Sequence, residues 1–270
     1  MSALAENNSD ARHPSLEESL MRIAVAGATG LVGRHVVEHA ERAGHDAVAL
    51  SRSSGVDVRR GEGLADALAG VDVVVDVTNA GTTEQEPATA FFTEAATTLQ
   101  RVGAERGVGH IVTLSIVGID RAPVGYYAAK LAHERAATTG PVTATILRAT
   151  QFHEFPAQLI GWTRNGAEAS VFDLRVQTVA ARTVAGVLVE LAEGAPLGRA
   201  PDLAGPREAD LVALARAFVE RRGEPITVHA DAESVAGIPP RALLPDDGAR
   251  IEGPTFEEWL AGEDAAALTL

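Results

Sequence analysis

Tyr126 and Lys130 stand four residues apart in Tyr126-Tyr127-Ala128-Ala129-Lys130, a spacing that puts both side chains on one face of a helix. A phenol titrates near 10 in water, and a nearby ammonium lowers that value toward the range of a general acid. Upstream, Ser115 closes an apolar run, so its hydroxyl falls at a strand end, placed to hydrogen-bond a carbonyl oxygen. These three groups together suit proton delivery to an oxygen that gains charge.

A second set of residues suits a phosphate. Gly27-Ala28-Thr29-Gly30-Leu31-Val32-Gly33 follows the apolar run Arg22-Ile23-Ala24-Val25-Ala26 at once and leads into a helical pattern. Gly27 allows the tight turn out of a strand, Gly30 bares the backbone to a pyrophosphate, and Gly33 permits close helix–strand packing. The free N–H groups and the dipole at the helix start favour phosphate charge, which brings Thr29, Leu31 and Val32 into the set. The second strand, Ala47–Leu50, ends in Ser51-Arg52-Ser53-Ser54, with no acid before Asp57. A ribose with a free 2′-hydroxyl usually meets Asp or Glu there, whereas Arg52, helped by Ser53, matches a 2′-phosphate. The residues therefore favour NADP(H), with NAD(H) as the other option.

These groups need a frame, and the chain has the pattern for one. Further strands are expected over Val71–Val75, His110–Leu114 and Val142–Leu147. Helices are expected up to about Ala43, from about Pro87 with the stripe Phe92, Ala95, Ala96, Leu99 and Val102, and over Tyr126–Ala137. Near-continuous apolar strands alternating with amphipathic helices mean a parallel sheet covered on both faces. Beyond Gln151 the alternation weakens. Helices are expected over Phe152–Trp162, Thr183–Ala192 with Thr183 as N-cap, and Leu211–Arg221, with Val176–Ala180 extended and Gly237–Gly248 a loop. The expected architecture is a doubly wound α/β Rossmann fold with a small C-terminal substrate-binding cap. Residues 1–20 read as a leader, 21–150 as the nucleotide-binding core and 151–270 as late strands plus cap.

Composition removes several functions. The chain has no cysteine among its 270 residues, which excludes disulfides, thiol nucleophiles and iron–sulfur ligation and fits a cytoplasmic protein. A formal charge of −14 opposes a nucleic-acid partner. No apolar run approaches the ~20 residues of a membrane span.

In these motifs the sequence resembles the short-chain dehydrogenase/reductase superfamily, in its atypical, NmrA-like branch, over about residues 21–265. The resemblance rests on the glycine loop, Asp76-Val77-Thr78-Asn79, Leu114-Ser115-Ile116-Val117-Gly118, the Tyr126–Lys130 segment, Leu147-Arg148-Ala149-Thr150-Gln151-Phe152 and Phe256-Glu257-Glu258-Trp259-Leu260. It implies that Thr78 and Asn79 lie beside the cofactor and that residues after Arg148 border the nicotinamide. Lys130 would hold the nicotinamide ribose as well as tune Tyr126. The glycine spacing is that of extended and atypical members, and the helix from Pro87 lacks the Asn that standard members use as a fourth catalytic residue. Some relatives in this branch are quinone or ketone reductases, and others only sense the redox state of the cofactor.

Other signals carry less. His35-Val36-Val37-Glu38-His39 spells one zinc-protease motif, but Val32, Val36, Val37 and Ala40 form the buried arc of that helix. His35, Glu38 and His39 would then face solvent, and no metal is expected. Gln151, Phe152, His153, Phe155 and Trp162 fall at the mouth of the expected site. His153 could donate to substrate or satisfy a buried carbonyl. The aromatic stripe is the best wall for a flat substrate in a chain with 4% aromatics. The expected activity is NADPH-dependent reduction of a carbonyl or quinone in a small, largely apolar substrate, with Tyr126, Ser115 and Lys130 as catalytic groups. The alternatives are a redox sensor acting through a protein partner, or an epimerase or dehydratase without net cofactor turnover.

Overall fold

In a computed structural model, residues 20–233 and 237–268 are described; the leader expected over 1–20 lies, apart from Leu20, outside them. Strand β1 (Arg22–Ala26) runs into the glycine turn and helix α1 (Leu31–Arg42). Then come β2 (Asp46–Leu50), α2 (Leu64–Ala67), β3 (Val73–Asp76), α3 (Gln85–Arg106), β4 (His110–Ile116), α4 (Gly125–Thr138) and β5 (Thr143–Ala149). These five strands pair in parallel in the order β2-β1-β3-β4-β5. The connections leave β1 toward β2 on one side and return to β3 on the other. That reversal is the switch point at which open α/β sheets bind ligands, outside the carboxyl ends of the strands.

The second half of the chain does two things. Helix α6 (Ala181–Glu193) packs against α1, and the short strands β8 (Gly198–Arg199), β9 (Leu203–Ala204) and β12 (Arg250–Ile251) extend the sheet beyond β5. The rest builds a separate core from α5 (Phe155–Thr163), β6 (Glu168–Phe172), α7 (Leu211–Arg222), β11 (Thr227–Asp231), α8 (Phe256–Leu260) and α9 (Glu263–Ala266), centred on Phe218, Leu159, Ile160 and Val171. A two-residue ladder of β7 (Arg175–Val176) with β10 (Ala209–Asp210) lies beside it. Among the described residues no helix is long and apolar enough to cross a membrane.

Three expectations shift. The helix after β5 begins at Phe155, because Phe152 bridges to Val179 and His153 N–H donates to Val179 O at 3.0 Å. Helix α6 begins at Ala181 with Ala180 as N-cap, so Thr183 lies inside the first turn. Its capping acceptor comes from a distance, Glu154 Oε2 taking the Ala181 N–H at 3.3 Å. On α1, His35 is buried at 4% exposure, because α6 covers the side that the valine arc leaves free and sends Arg182 to Glu38 at 2.6 Å.

The first βα unit allows no added carbon. A Cβ on Gly33 would stand 2.1 Å from Gly27 O, with further backbone at 2.8 Å. Neither partner is a flexible side-chain end, so the strand and helix must separate. Gly33→Ala should therefore cost about 3 kcal/mol of stability, as overpacking of a tight core does, measured as a lowered midpoint in urea unfolding.

Candidate functional site

The sequence-selected groups fall along the carboxyl edge of the sheet, one strand at a time. After β1, Gly27 turns the chain with φ +85°, and a Cβ there would meet Val77 O at 2.8 Å. Gly30 N–H closes the turn on Gly27 O at 2.9 Å. Gly30 is the N-cap of α1 and no side chain caps the helix. The amides of Leu31, Val32 and Gly33 thus have no partner within the helix, and Thr29 and Gly30 are exposed in front of them. A bare, positively polarised helix start behind side-chain-free backbone fits a dinucleotide phosphate.

After β2, a short 3₁₀ turn carries Arg52–Ser54. Ser51 Oγ and Ser53 Oγ share a hydrogen bond at 2.8 Å, and Ser54 Oγ donates to Ala49 O at 3.0 Å, which pins the turn. The Arg52 side chain is exposed and makes no hydrogen bond or ion pair among the described residues, while its carbonyl accepts from Gly55 N–H at 3.1 Å. Arg59, seven residues on, is instead tied to Glu94 at 2.6 Å.

After β3, Asp76 is fully enclosed and accepts from Thr78 N–H at 3.0 Å and Thr78 Oγ1 at 2.7 Å. The next residue, Asn79, accepts from the Tyr126 hydroxyl at 3.1 Å. Tyr126 therefore reaches from α4 to the loop that follows β3. Its titration does not follow expectation. Burial and the neighbouring Tyr127 push the phenol up to about 12.

The lysine explains why. Lys130 is buried at 4% exposure and points inward. Its ammonium donates to Leu114 O at 2.9 Å, meets His133 Nδ1 at 2.8 Å and stands 4.5 Å over the Phe92 ring. The expected tuning of Tyr126 by Lys130 is thus corrected: the ammonium is engaged by these partners, and burial and Tyr127 set the phenol. Burial lowers the ammonium to about 8.

Ser115 departs as well. Its hydroxyl oxygen is enclosed and faces Glu134. Burial would raise that carboxyl, but Arg148 outweighs it and holds Glu134 below its ordinary value, while Ser115 Oγ has no hydrogen-bond partner among the described residues. Arg148 grips Glu134 at 2.7 and 2.8 Å and Asp120 at 3.0 Å. Successive residues of β4 face opposite sides of the sheet, and Ser115 takes the side under α4 rather than the open edge.

The residues after β5 divide. Gln151 is buried with neither amide atom hydrogen-bonded. Phe152 packs on the core under α1 and α6, whereas Phe155 joins the second core with Phe172 and Trp162, each ring centroid 6.4 Å away. Trp162 is 65% exposed. His153 is not available to a substrate. Its Nε2 donates to Pro254 O at 3.0 Å, so Nδ1 accepts from Thr178 Oγ1 at 2.7 Å, and the ring is enclosed against Phe256 and Trp259.

Three contributors had a weaker signal in the sequence. His133 lies three residues beyond Lys130, on the same helical face, and spacing alone could have found it. Glu154, which burial pushes up to about 7, and Gly118, where a Cβ would strike Ala242 O at 1.7 Å, depend on contacts with distant segments. Gly118 closes a motif named in the sequence, but no local pattern gives its contact with Ala242 or marks Glu154.

A model of the NAD(P)H-binding family matches residues 27–194. The chloroplastic divinyl chlorophyllide a 8-vinyl-reductase of Oryza sativa subsp. indica is 30% identical over 188 residues, which is 58% of this chain and 46% of that protein. The chain thus spans about half the length of that curated relative. A short-chain dehydrogenase/reductase superfamily protein of Agrobacterium tumefaciens with bound NAD superimposes with a TM-score of 0.64 at 18% identity, over 91% of this chain and 96% of that one. An NADPH-dependent quinone oxidoreductase of Escherichia coli gives 0.55 at 17% identity, over 78% of each chain. Both share the Rossmann-like fold.

The His153 ring supplies a stability test. Burial lowers it to about 4 from an ordinary 6.5, so the folded state holds it neutral while the unfolded chain takes up a proton below 6.5. Its contribution is complete above pH 6.5 and is lost as pH falls through 4, about 3 kcal/mol by linkage. The stability difference between wild type and His153→Asn should shrink by that amount between pH 7 and pH 4 in urea titrations. A constant difference would show that the ring is not held neutral.

Proposed function

The chain belongs to the NAD(P)H-binding family, and from that premise we propose that it is an NADPH-dependent reductase of a carbonyl or quinone group in a small, largely apolar molecule. The observation that carries this reading is the Tyr126 hydroxyl, 3.1 Å from Asn79 beside the switch point. A phenol pushed up to about 12 stays protonated at neutral pH. It can donate a proton to a developing oxyanion, as a weaker acid than a free phenol.

Bound NADPH would supply the hydride. The protein's own part is to hold the cofactor and deliver the proton. The α1 amides would take the pyrophosphate and Thr78 and Asn79 would flank it. Arg52, with the Ser51–Ser53 hydroxyls, would grip the 2′-phosphate through charge-assisted bonds. Phe155, Phe172 and the exposed Trp162 would offer an apolar wall to a flat substrate. A redox sensor is the second reading, favoured by the enclosure of Ser115 and Lys130. It would bind nucleotide tightly, oxidise no NADPH and hold a protein partner with an affinity set by cofactor state.

A panel of quinones and polycyclic ketones, followed by loss of NADPH absorbance, separates the two. Saturable turnover is expected. Tyr126→Phe should lower it by roughly a hundredfold while leaving NADPH affinity within a fewfold of wild type. Unchanged turnover in that variant would remove Tyr126 from the chemistry.

Cofactor choice is tested separately. Arg52→Ala should weaken NADPH by roughly ten- to a hundredfold and leave NADH almost unchanged, since only the 2′-phosphate contact is removed. Equal losses for both nucleotides in a fluorescence titration would make Arg52 a general phosphate contact. A wild-type preference for NADH would overturn the NADPH assignment.

A further inference from the structure

His133 shares a face of α4 with Tyr126 and Lys130, seven residues after the first and three after the second. It is fully buried. Nε2 lies 2.9 Å from Asp76 Oδ2 and Nδ1 lies 2.8 Å from Lys130 Nζ. A carboxylate can only accept, so Nε2 carries the proton and Nδ1 accepts from the ammonium. The imidazole stacks on Phe92 with centroids 4.7 Å apart and planes 21° from parallel.

The charge state follows from these contacts. Burial would raise Asp76, but the hydrogen bonds it accepts from His133 and Thr78 hold the carboxyl below its ordinary value. Burial and the Lys130 ammonium keep His133 below its ordinary value. The unit is therefore an anion and a cation joined by a neutral ring.

Asp76 carries this unit to the site. Its Oδ1 takes both Thr78 donors, and the next residue, Asn79, takes the Tyr126 hydroxyl. The contacts leave α4 at Lys130 and His133, pass through Asp76 and the Thr78–Asn79 loop, and return to α4 at Tyr126. Buried ion chains of this kind are a weak source of stability, because desolvation consumes most of the Coulombic gain. What they do supply is fixed geometry.

We propose that His133 is a positioning residue: with Asp76 and Lys130 it presets the Thr78–Asn79 loop and the Tyr126 hydroxyl for the nucleotide. It acts through Asp76 and touches neither cofactor nor substrate. The inference rests on the nucleotide site of the proposed reading but not on turnover.

The test compares full-length variants by NADPH affinity and by amide exchange at Thr78, whose N–H donates to Asp76. His133→Leu removes both ring hydrogen bonds. His133→Gln offers a donor to Asp76 and an acceptor to Lys130 but cannot ionise. His133→Leu should weaken NADPH by roughly tenfold or more and speed Thr78 exchange comparably, with unchanged far-UV circular dichroism. His133→Gln should restore both to within about threefold. Wild-type NADPH affinity in a folded Leu variant overturns the inference, as does a folded Gln variant as weak as the Leu variant. If the Leu variant does not fold, Asp76→Asn takes its place: the same losses are expected, and wild-type values overturn the inference. A wild-type chain that binds NADPH yet turns over no substrate counts against the reductase reading alone.

Discussion

A carboxylate enclosed by protein must be met by donors on every side, and Asp76 is that carboxylate. It closes β3 at the point where the sheet reverses direction. One oxygen holds the loop that leads to Asn79; the other holds α4 through His133. The placement of Tyr126 follows from both, since the phenol is anchored to the loop at one end of α4 and the helix is anchored to the carboxylate two turns later. A change at Asp76 would thus disturb the loop, the helix and the phenol together.

Opposing constraints act on the two faces of this arrangement. Under α1, Gly27 and Gly33 hold strand and helix at a separation that excludes one carbon atom. Under α4, Arg148 spans from β5 to Glu134 and to Asp120 in the segment that precedes Tyr126. Both sides of the switch point are therefore closely packed or cross-linked by ion pairs, which suits a preorganised site.

Several polar contacts tie the second core to the sheet and its helices. Arg182 joins Glu38 on α1 to Asp264 on α9. His153 joins the end of β5 to Pro254, and Arg121 donates to Ala242 O at 2.8 Å while Gly118 packs beneath it. The aromatic side chains of α5 are thereby set near the end of β5. The α5 stripe divides between two cores because Phe152 still belongs to the extended chain that bridges to Val179.

The sequence by itself determined the parallel sheet, the strand–glycine–helix unit and the candidate phosphate residues, because apolar period, turn chemistry and helix starts are local properties. Arg52 follows the end of a strand and Tyr126 opens a helix, so local pattern singles both out, whereas Asn79 enters through the family resemblance and its contact with Tyr126 belongs to the fold. Tertiary structure alone decided which way the polar side chains turn. Ser115 faces under α4 because of its parity along β4. His35 is buried because α6, about 150 residues away in sequence, lies over it. Lys130 is drawn inward because an enclosed carboxylate needs a cation within reach, and that carboxylate belongs to a strand far along the chain. The spacing of Tyr126 and Lys130 placed them on one helix face, but it held no information about the charge waiting beneath.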